Sequence, residues 1–323
     1  MLSKKKMIAA MVGIVSLAAA MTGCASGSSD SASSDKLYIA LESKGFQHQF
    51  WQAVKAGAEQ AGEEFGVEVS FDGPDTEADV DQQLQQLQTI LDKNPSAIGI
   101  AALDSKAVAP MLQQAKDRKI PVIAFDSGVD SDIPLTTAAT DNSAAAAEAA
   151  KHMVEAIGGS GEVAVIGHDQ TSTTGVQRVD GFVNYIKKNA PNVKIVDVQY
   201  AGGDQLKSAD AAKALIAAHP NLKGLYGTNE GSAIGIVNGV KELGLTGLTI
   251  IGFDSGKAQI DAINSGLMTG AITQNPVGIG YETVKAAVEA IKGKKLPKTI
   301  DTGYYWYDKS NINDAKIQAV LYQ

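Results

Sequence analysis

A chain of 323 residues is long enough for one large domain or two smaller ones. A formal net charge of -8, with no basic cluster beyond the first residues, argues against nucleic-acid binding, because that affinity rests on Lys and Arg neutralising phosphates. One cysteine excludes a disulfide framework, and 33 glycines with only 6% aromatics suit tightly packed layers of helix on sheet.

The chain opens with Lys4, Lys5 and Lys6 ahead of an apolar run from Met7 to Met21 that closes on Thr22-Gly23-Cys24. That run is shorter than the ~20 residues of a membrane span and ends on small residues. Residues 1–23 therefore read as a cleaved export signal with a lipobox, and Cys24 as the point of lipid attachment on the outer face of the cell membrane. The alternative is an uncleaved anchor with an incidental cysteine. Residues 24–35 hold no large apolar side chain and read as a flexible tether.

From Lys36 onward, strand-length apolar runs alternate with amphipathic stretches of helix length, the pattern of βαβ units around a parallel sheet. In the first half, strands are predicted at residues 37–41, 67–71, 97–101 and 122–125, with helices at 50–65, 79–91 and 107–116. Val80, Leu84, Leu87 and Leu91 fall on one helical stripe, and Gly66 has the position of a C-cap. The second half repeats the alternation, with strands at 163–166, 193–198, 225–227, 249–253 and 270–273 and helices at 176–189, 206–218, 232–243 and 258–265. The expected fold is α/β, with two doubly wound parallel-sheet lobes.

A repeat sharpens this. Residues 120–128 end in Phe-Asp-Ser-Gly, and so do residues 248–256. An apolar strand ending in the same tetrapeptide in both halves puts Asp126 and Asp254 at the carboxyl edges of two sheets, where ligands of open α/β sheets bind. A carboxylate there can accept from a pair of adjacent hydroxyls or cap the following helix. Phe50 and Trp51 open the first predicted helix and can wall a cleft, with one ring turned inward, whereas Phe46 reads as core packing. Arg178 follows a polar loop and can grip ligand oxygens or pair on the surface with Asp180. Asn229 can bond hydroxyls or N-cap a helix. Gln274 precedes Asn275-Pro276, where the chain could cross between lobes.

These residues, in this order, resemble the periplasmic sugar-binding proteins of the ribose-binding type, which share their fold with the effector domain of the lac-repressor family. The resemblance runs from Leu37 to about Ile300. Its motifs are the aromatic pair, Asp126, Arg178 before Gly181-Phe182, the Asn229-Glu230 turn, the Gly252-Phe253-Asp254 turn and Gln274 before Pro276. It implies that Phe50 and Trp51 stack on a ligand whose hydroxyls meet Asp126, Arg178, Asn229, Asp254 and Gln274. It also implies three crossings between lobes, giving one lobe of residues 36–139 with 275–301 and another of 140–274 with 302–323. Three departures from the ribose pattern, Ser127, His48 and Gly202-Gly203, point to another sugar or polyol; both Ser127 and His48 stay candidate contacts. The implied role is capture of a small neutral sugar or polyol by a monomer that serves an ABC permease and its ATPase.

Other readings are weaker. A chemosensor partner or a signalling furanose as ligand is compatible with the same site. Glycoside cleavage by Asp126 and Asp254 would need a spacing of ~5–9.5 Å, yet no nucleophile elbow, Walker loop or dinucleotide fingerprint accompanies them. Gly278-Ile279-Gly280 reads as a close helix contact, and the four histidines lack metal-ligand spacing. No enzyme activity, cofactor or metal is expected.

Overall fold

The computed structural model describes residues 36–322. The export signal, the whole tether and Cys24 lie outside them. The first half forms β1 (Tyr38–Glu42), α1 (Gln49–Phe65), β2 (Glu68–Asp72), α2 (Val80–Asp92), β3 (Ala97–Ile100), α3 (Ala109–Asp117), β4 (Val122–Phe125) and β5 (Thr137–Ala139). The second contains α4 (Asn142–Ala156), β6 (Gly161–Gly167), α5 (Thr173–Asn189), β7 (Val193–Tyr200), α6 (Gln205–Ala218), β8 (Leu222–Gly227), α7 (Glu230–Glu242), β9 (Thr249–Phe253), α8 (Lys257–Ser265) and β10 (Gly270–Gln274). Then follow α9 (Pro276–Ile291), β11 (Thr299–Asp301), β12 (Tyr304–Asp308) and α10 (Ala315–Gln318). No described helix is long and apolar enough to cross a membrane.

The strands make two six-stranded sheets of matching order, β11-β5-β4-β3-β1-β2 and β12-β10-β9-β8-β6-β7. In each, the first strand of the half lies between the second and third, so the direction of winding reverses beside β1 and beside β6. These are the switch points at which open α/β sheets hold ligands. Both faces of each sheet are covered. In the first, Ile39 and Leu41 pack with Val54 and Ala58 of α1, while Ala40 packs with Leu87 and Leu91 of α2. Runs without a polar face are what such double coverage demands.

The chain passes between sheets three times: from β5 to α4, which packs on α5; from β10 to α9, which packs on α1; and from β11 to β12. The last passage explains a departure from the all-parallel expectation. A chain leaving β11 emerges at the carboxyl edge of the first sheet. Two residues later, with Gly303 at φ 79, it enters the second sheet at that sheet's own carboxyl edge, so β12 must run antiparallel to β10. Near the end of the chain Tyr322 crosses back to meet Phe50, ring centroids 6.1 Å apart.

The contact of α1 with α9 has a sequence cause. A Cβ at Gly57 would collide with the carbonyl of Val277, and one at Gly280 with the carbonyl of Val54. The Gly278-Ile279-Gly280 segment is thus a helix-packing device. Phe46, read from sequence as core, is 36% exposed and only leans edge-on against Phe71, because it sits in the loop ahead of α1.

Candidate functional site

The two copies of Phe-Asp-Ser-Gly adopt the same backbone. Asp126 has φ 54 and Asp254 φ 77, a left-handed conformation that costs a non-glycine residue of order 1 kcal/mol and collects at functional positions. Each aspartate N–H donates to the neighbouring strand, Asp126 to Ala138 O at 2.9 Å and Asp254 to Ile272 O at 2.6 Å. Neither caps the helix after its own strand: no helix directly follows β4, and the N-cap of α8 is Gly256. Both aspartates instead line one cavity at the seam between the sheets.

The space between atoms there is about 230 Å³, part of it open to solvent. As the lobes stand, the free room within it is on the order of one water. Asp254 is held firmly, its Oδ1 accepting from Gln274 Nε2 at 2.7 Å and its Oδ2 from Glu230 N at 3.0 Å. Asp126 finds no side-chain partner among the described residues. Burial raises its carboxyl to about 6, the Lys44 and Arg178 charges opposing the rise and those of Glu77 and Asp254 adding to it.

Arg178 does not pair with Asp180 on the surface. It is buried, its guanidinium 3.8 Å from the Phe253 ring centroid, donating from Nε to Asn142 Oδ1 at 2.7 Å and from Nη1 to Thr228 O at 3.0 Å. Its Nη1 also lies 3.8 Å from Asp254 Oδ2. Asn229 takes the N-cap job, its Oδ1 accepting from Ser232 N at the start of α7, and its Nδ2 donates to Glu77 Oε2 at 3.1 Å beside the cavity. Gln274 leaves Oε1, and His48 leaves Nδ1, with no hydrogen-bond partner although both atoms are buried and both residues line the cavity. Gln47 Nε2 lies 2.9 Å from His48 Nε2, which places the imidazole proton on Nδ1 when the ring is neutral.

Phe50 and Trp51 line the cavity and also belong to the core behind it, at 4% and 1% exposure. They meet edge to face at 4.9 Å. Ser127 is not part of the lining. The turn at Asp126 sends its side chain toward α5, where its Oγ accepts a long 3.5 Å contact from Thr174 N.

Two lining residues are absent from the sequence-derived set. Lys44, after β1, donates from Nζ to Thr174 Oγ1 at 3.0 Å. Glu77, after β2, accepts from the Trp51 indole N–H at 2.8 Å. Burial works to raise the Glu77 carboxyl, but Lys44, His48 and the indole pull it down to about 2, so it is ionised. Beside them, burial pushes the His168 ring down to about 3, so it is neutral at physiological pH. The cations are thus engaged with protein groups, while the Asp126 carboxylate, Gln274 Oε1 and His48 Nδ1 are left without protein partners on residues that line the cavity. This favours a neutral molecule with several hydroxyls over an anion.

A larger depression of about 980 Å³ also touches Asp126 and is bordered by Thr140, Asp141, Gln177 and Asp301. It lies beside the crossings, and Gln274 and His48, whose buried polar atoms lack partners, line the smaller cavity instead.

Two α/β lobes of like winding, joined by three crossings and meeting over a small polar cavity, define a hinge-type ligand-binding protein. The chain belongs to the periplasmic binding protein family, whose domain matches residues 39–295. It is 30% identical over 264 residues to the D-allose-binding periplasmic protein of Escherichia coli strain K12, covering 79% of this chain and 85% of that one. A carbohydrate transporter solute-binding protein of Agrobacterium radiobacter, solved with D-arabinose, superposes with a TM-score of 0.86 at 31% identity, over 90% of this chain and 100% of that one. An ABC transporter solute-binding protein of Agrobacterium vitis, solved with α-D-tagatopyranose, superposes with a TM-score of 0.85 at 30% identity, over 89% and 100%.

Proposed function

We propose that this protein captures a small neutral sugar or polyol by closing two lobes around it and delivers it to an ABC-type importer. The observation that carries the reading is the convergence of Asp126, Asp254, Arg178, Asn229 and Gln274, from both sheets, on one polar cavity at the seam between them. Asp126 accepts from two neighbouring hydroxyls, Asp254 and Arg178 form a second polar wall, and His48 and Gln274 offer one donor and one acceptor. Phe50 and Trp51 cover the C–H face of the ring. Ser127 supports the Asp126 turn and touches no ligand.

The hinge runs through the three crossings, with lobes of residues 36–139 plus 275–301 and 140–274 plus 302–323. The ligand bonds to both lobes only when they meet, so its affinity for the closed form shifts the population toward it. The protein works as a monomer outside the cytoplasm, held to the cell surface by a lipid on Cys24 after removal of residues 1–23, and presents its closed form to a permease coupled to an ATPase. It carries out no chemistry on the sugar.

A thermal-shift panel of D-allose, D-ribose, D-arabinose, D-tagatose, D-fucose and the corresponding alditols tests this. A true ligand at ~100 times its Kd adds about 2.7 kcal/mol of stability. At least one member is expected to raise Tm clearly; a flat panel would refute the ligand class.

A further inference from the structure

Glu230 is buried but lines neither the cavity nor its mouth. It is the first residue of α7, in the lobe of the second sheet, and its carboxylate points across the seam. Oε1 accepts from Gln49 N and Oε2 from Phe50 N, each at 3.2 Å. Those N–H groups open α1 in the other lobe, where the first four amides of a helix have no partner within it. The N-cap of α1, His48, offers no side-chain bond to them. The missing cap of α1 is therefore supplied by the opposite lobe, as a carboxylate at the positive end of a 17-residue helix.

Two further contacts tie this clasp to ligand capture. The Glu230 N–H donates to Asp254 Oδ2 at 3.0 Å, so the residue that bridges the lobes also orients a carboxylate of the cavity. The Gln49 side chain reaches back in turn, its Oε1 accepting from Lys257 N at 2.8 Å. These contacts between lobes require no ligand atom. The three that cross, from Gln49 N and Phe50 N to Glu230 and from Lys257 N to Gln49, form only when the lobes meet and break when the hinge opens, whereas the Glu230–Asp254 bond lies within one lobe.

We infer that Glu230 is a positioning residue whose clasp on the α1 amides sets how tightly the closed form is held, whatever sugar lies inside. The inference rests on the sugar-capture reading for its effect on affinity, but the clasp exists independently of ligand identity. Because Glu230 acts on closure and not on the guest, its loss weakens every ligand by one common factor and shortens the lifetime of the complex.

The experiment compares the full chain with Glu230→Gln and Glu230→Ala. Calorimetry and stopped-flow release are run on each sugar that the panel identifies, with amide hydrogen exchange at Gln49 and Phe50. Two charge-assisted bonds are at stake, so Glu230→Ala is expected to raise Kd roughly 10- to 100-fold, by the same factor for every sugar and mainly through faster release. Glu230→Gln, which keeps one acceptor, falls between and serves as the test if the alanine variant does not fold. A Kd unchanged within twofold, or a loss that differs from sugar to sugar, overturns the inference. If no sugar binds the wild type, the sugar reading fails and amide exchange alone decides: slower exchange in wild type than in Glu230→Ala upholds the clasp, and equal rates refute it.

Discussion

Replacing Asp126 with Asn separates what this residue does for folding from what it does for binding. Burial lifts its carboxyl from 3.8 to about 6, so the ionised form is disfavoured in the folded protein. A raised carboxyl stabilises the fold at low pH, and that contribution is lost as pH rises through about 6. At 1.36 kcal/mol per pKa unit, the ionised side chain costs about 3 kcal/mol at neutral pH. Asn keeps the shape, tolerates φ 54 and carries no charge to desolvate. Asp126→Asn is therefore expected to match wild type near pH 4 and to exceed it by about 3 kcal/mol at pH 7.5, a rise in Tm of about 5 °C for a domain of this size. Sugar affinity should fall at least ~100-fold, since two charge-assisted bonds are lost. Thermal unfolding without sugar at both pH values, with calorimetry at pH 7.5, reads both effects. A variant no more stable than wild type at pH 7.5, or a gap equal at both pH values, would refute the reasoning.

The same titration predicts that sugar Kd in wild type rises as pH drops below about 6, because the guest needs the ionised carboxylate; a flat profile between pH 4.5 and 7.5 would remove Asp126 from the site. Glu42 at the end of β1 is buried with both oxygens unpartnered, and burial, reinforced by Asp72, raises its carboxyl to about 9. Wild type should therefore lose stability progressively from about pH 4.5 to about pH 9 and level off above that, and Glu42→Gln should abolish that slope in a pH series of melting curves. Gly280→Ala drives a methyl into the Val54 carbonyl and should cost about 1–3 kcal/mol of stability without altering sugar preference, as urea unfolding and the ligand panel would show.

The fold was legible wherever an element was long enough to display its period. The αβ alternation and the doubled Phe-Asp-Ser-Gly predict two lobes, and the two aspartates occupy matching turns in the structure. Three-residue strands such as Thr137–Ala139 and Thr299–Asp301 are too short to carry a period, so they escaped. The reversal of β12 depends on where β11 delivers the chain, which no local pattern encodes. In the site, the aromatic pair, Arg178, Asn229 and Gln274 stood out as rare or polar residues at element ends. Lys44 and Glu77 did not, because a lysine in a loop and a glutamate among Asp75 and Asp79 look like solvated surface. Their position just past β1 and β2, at the same carboxyl edge as Asp126, was the signal available. Ser127, a candidate because it stands at a departure from the ribose pattern, lies outside the cavity lining, its side chain turned toward Thr174 of α5.

A crystal structure of the protein with the sugar that gives the largest thermal shift tests the central claim most directly. It should show one sugar ring buried between the lobes, hydroxyls within hydrogen-bond reach of Asp126 and of Gln274 Oε1, and Phe50 or Trp51 against a ring face. A sugar seated in the larger depression by Thr140 and Gln177, or lobes that close with Asp126 turned from the guest, would contradict it.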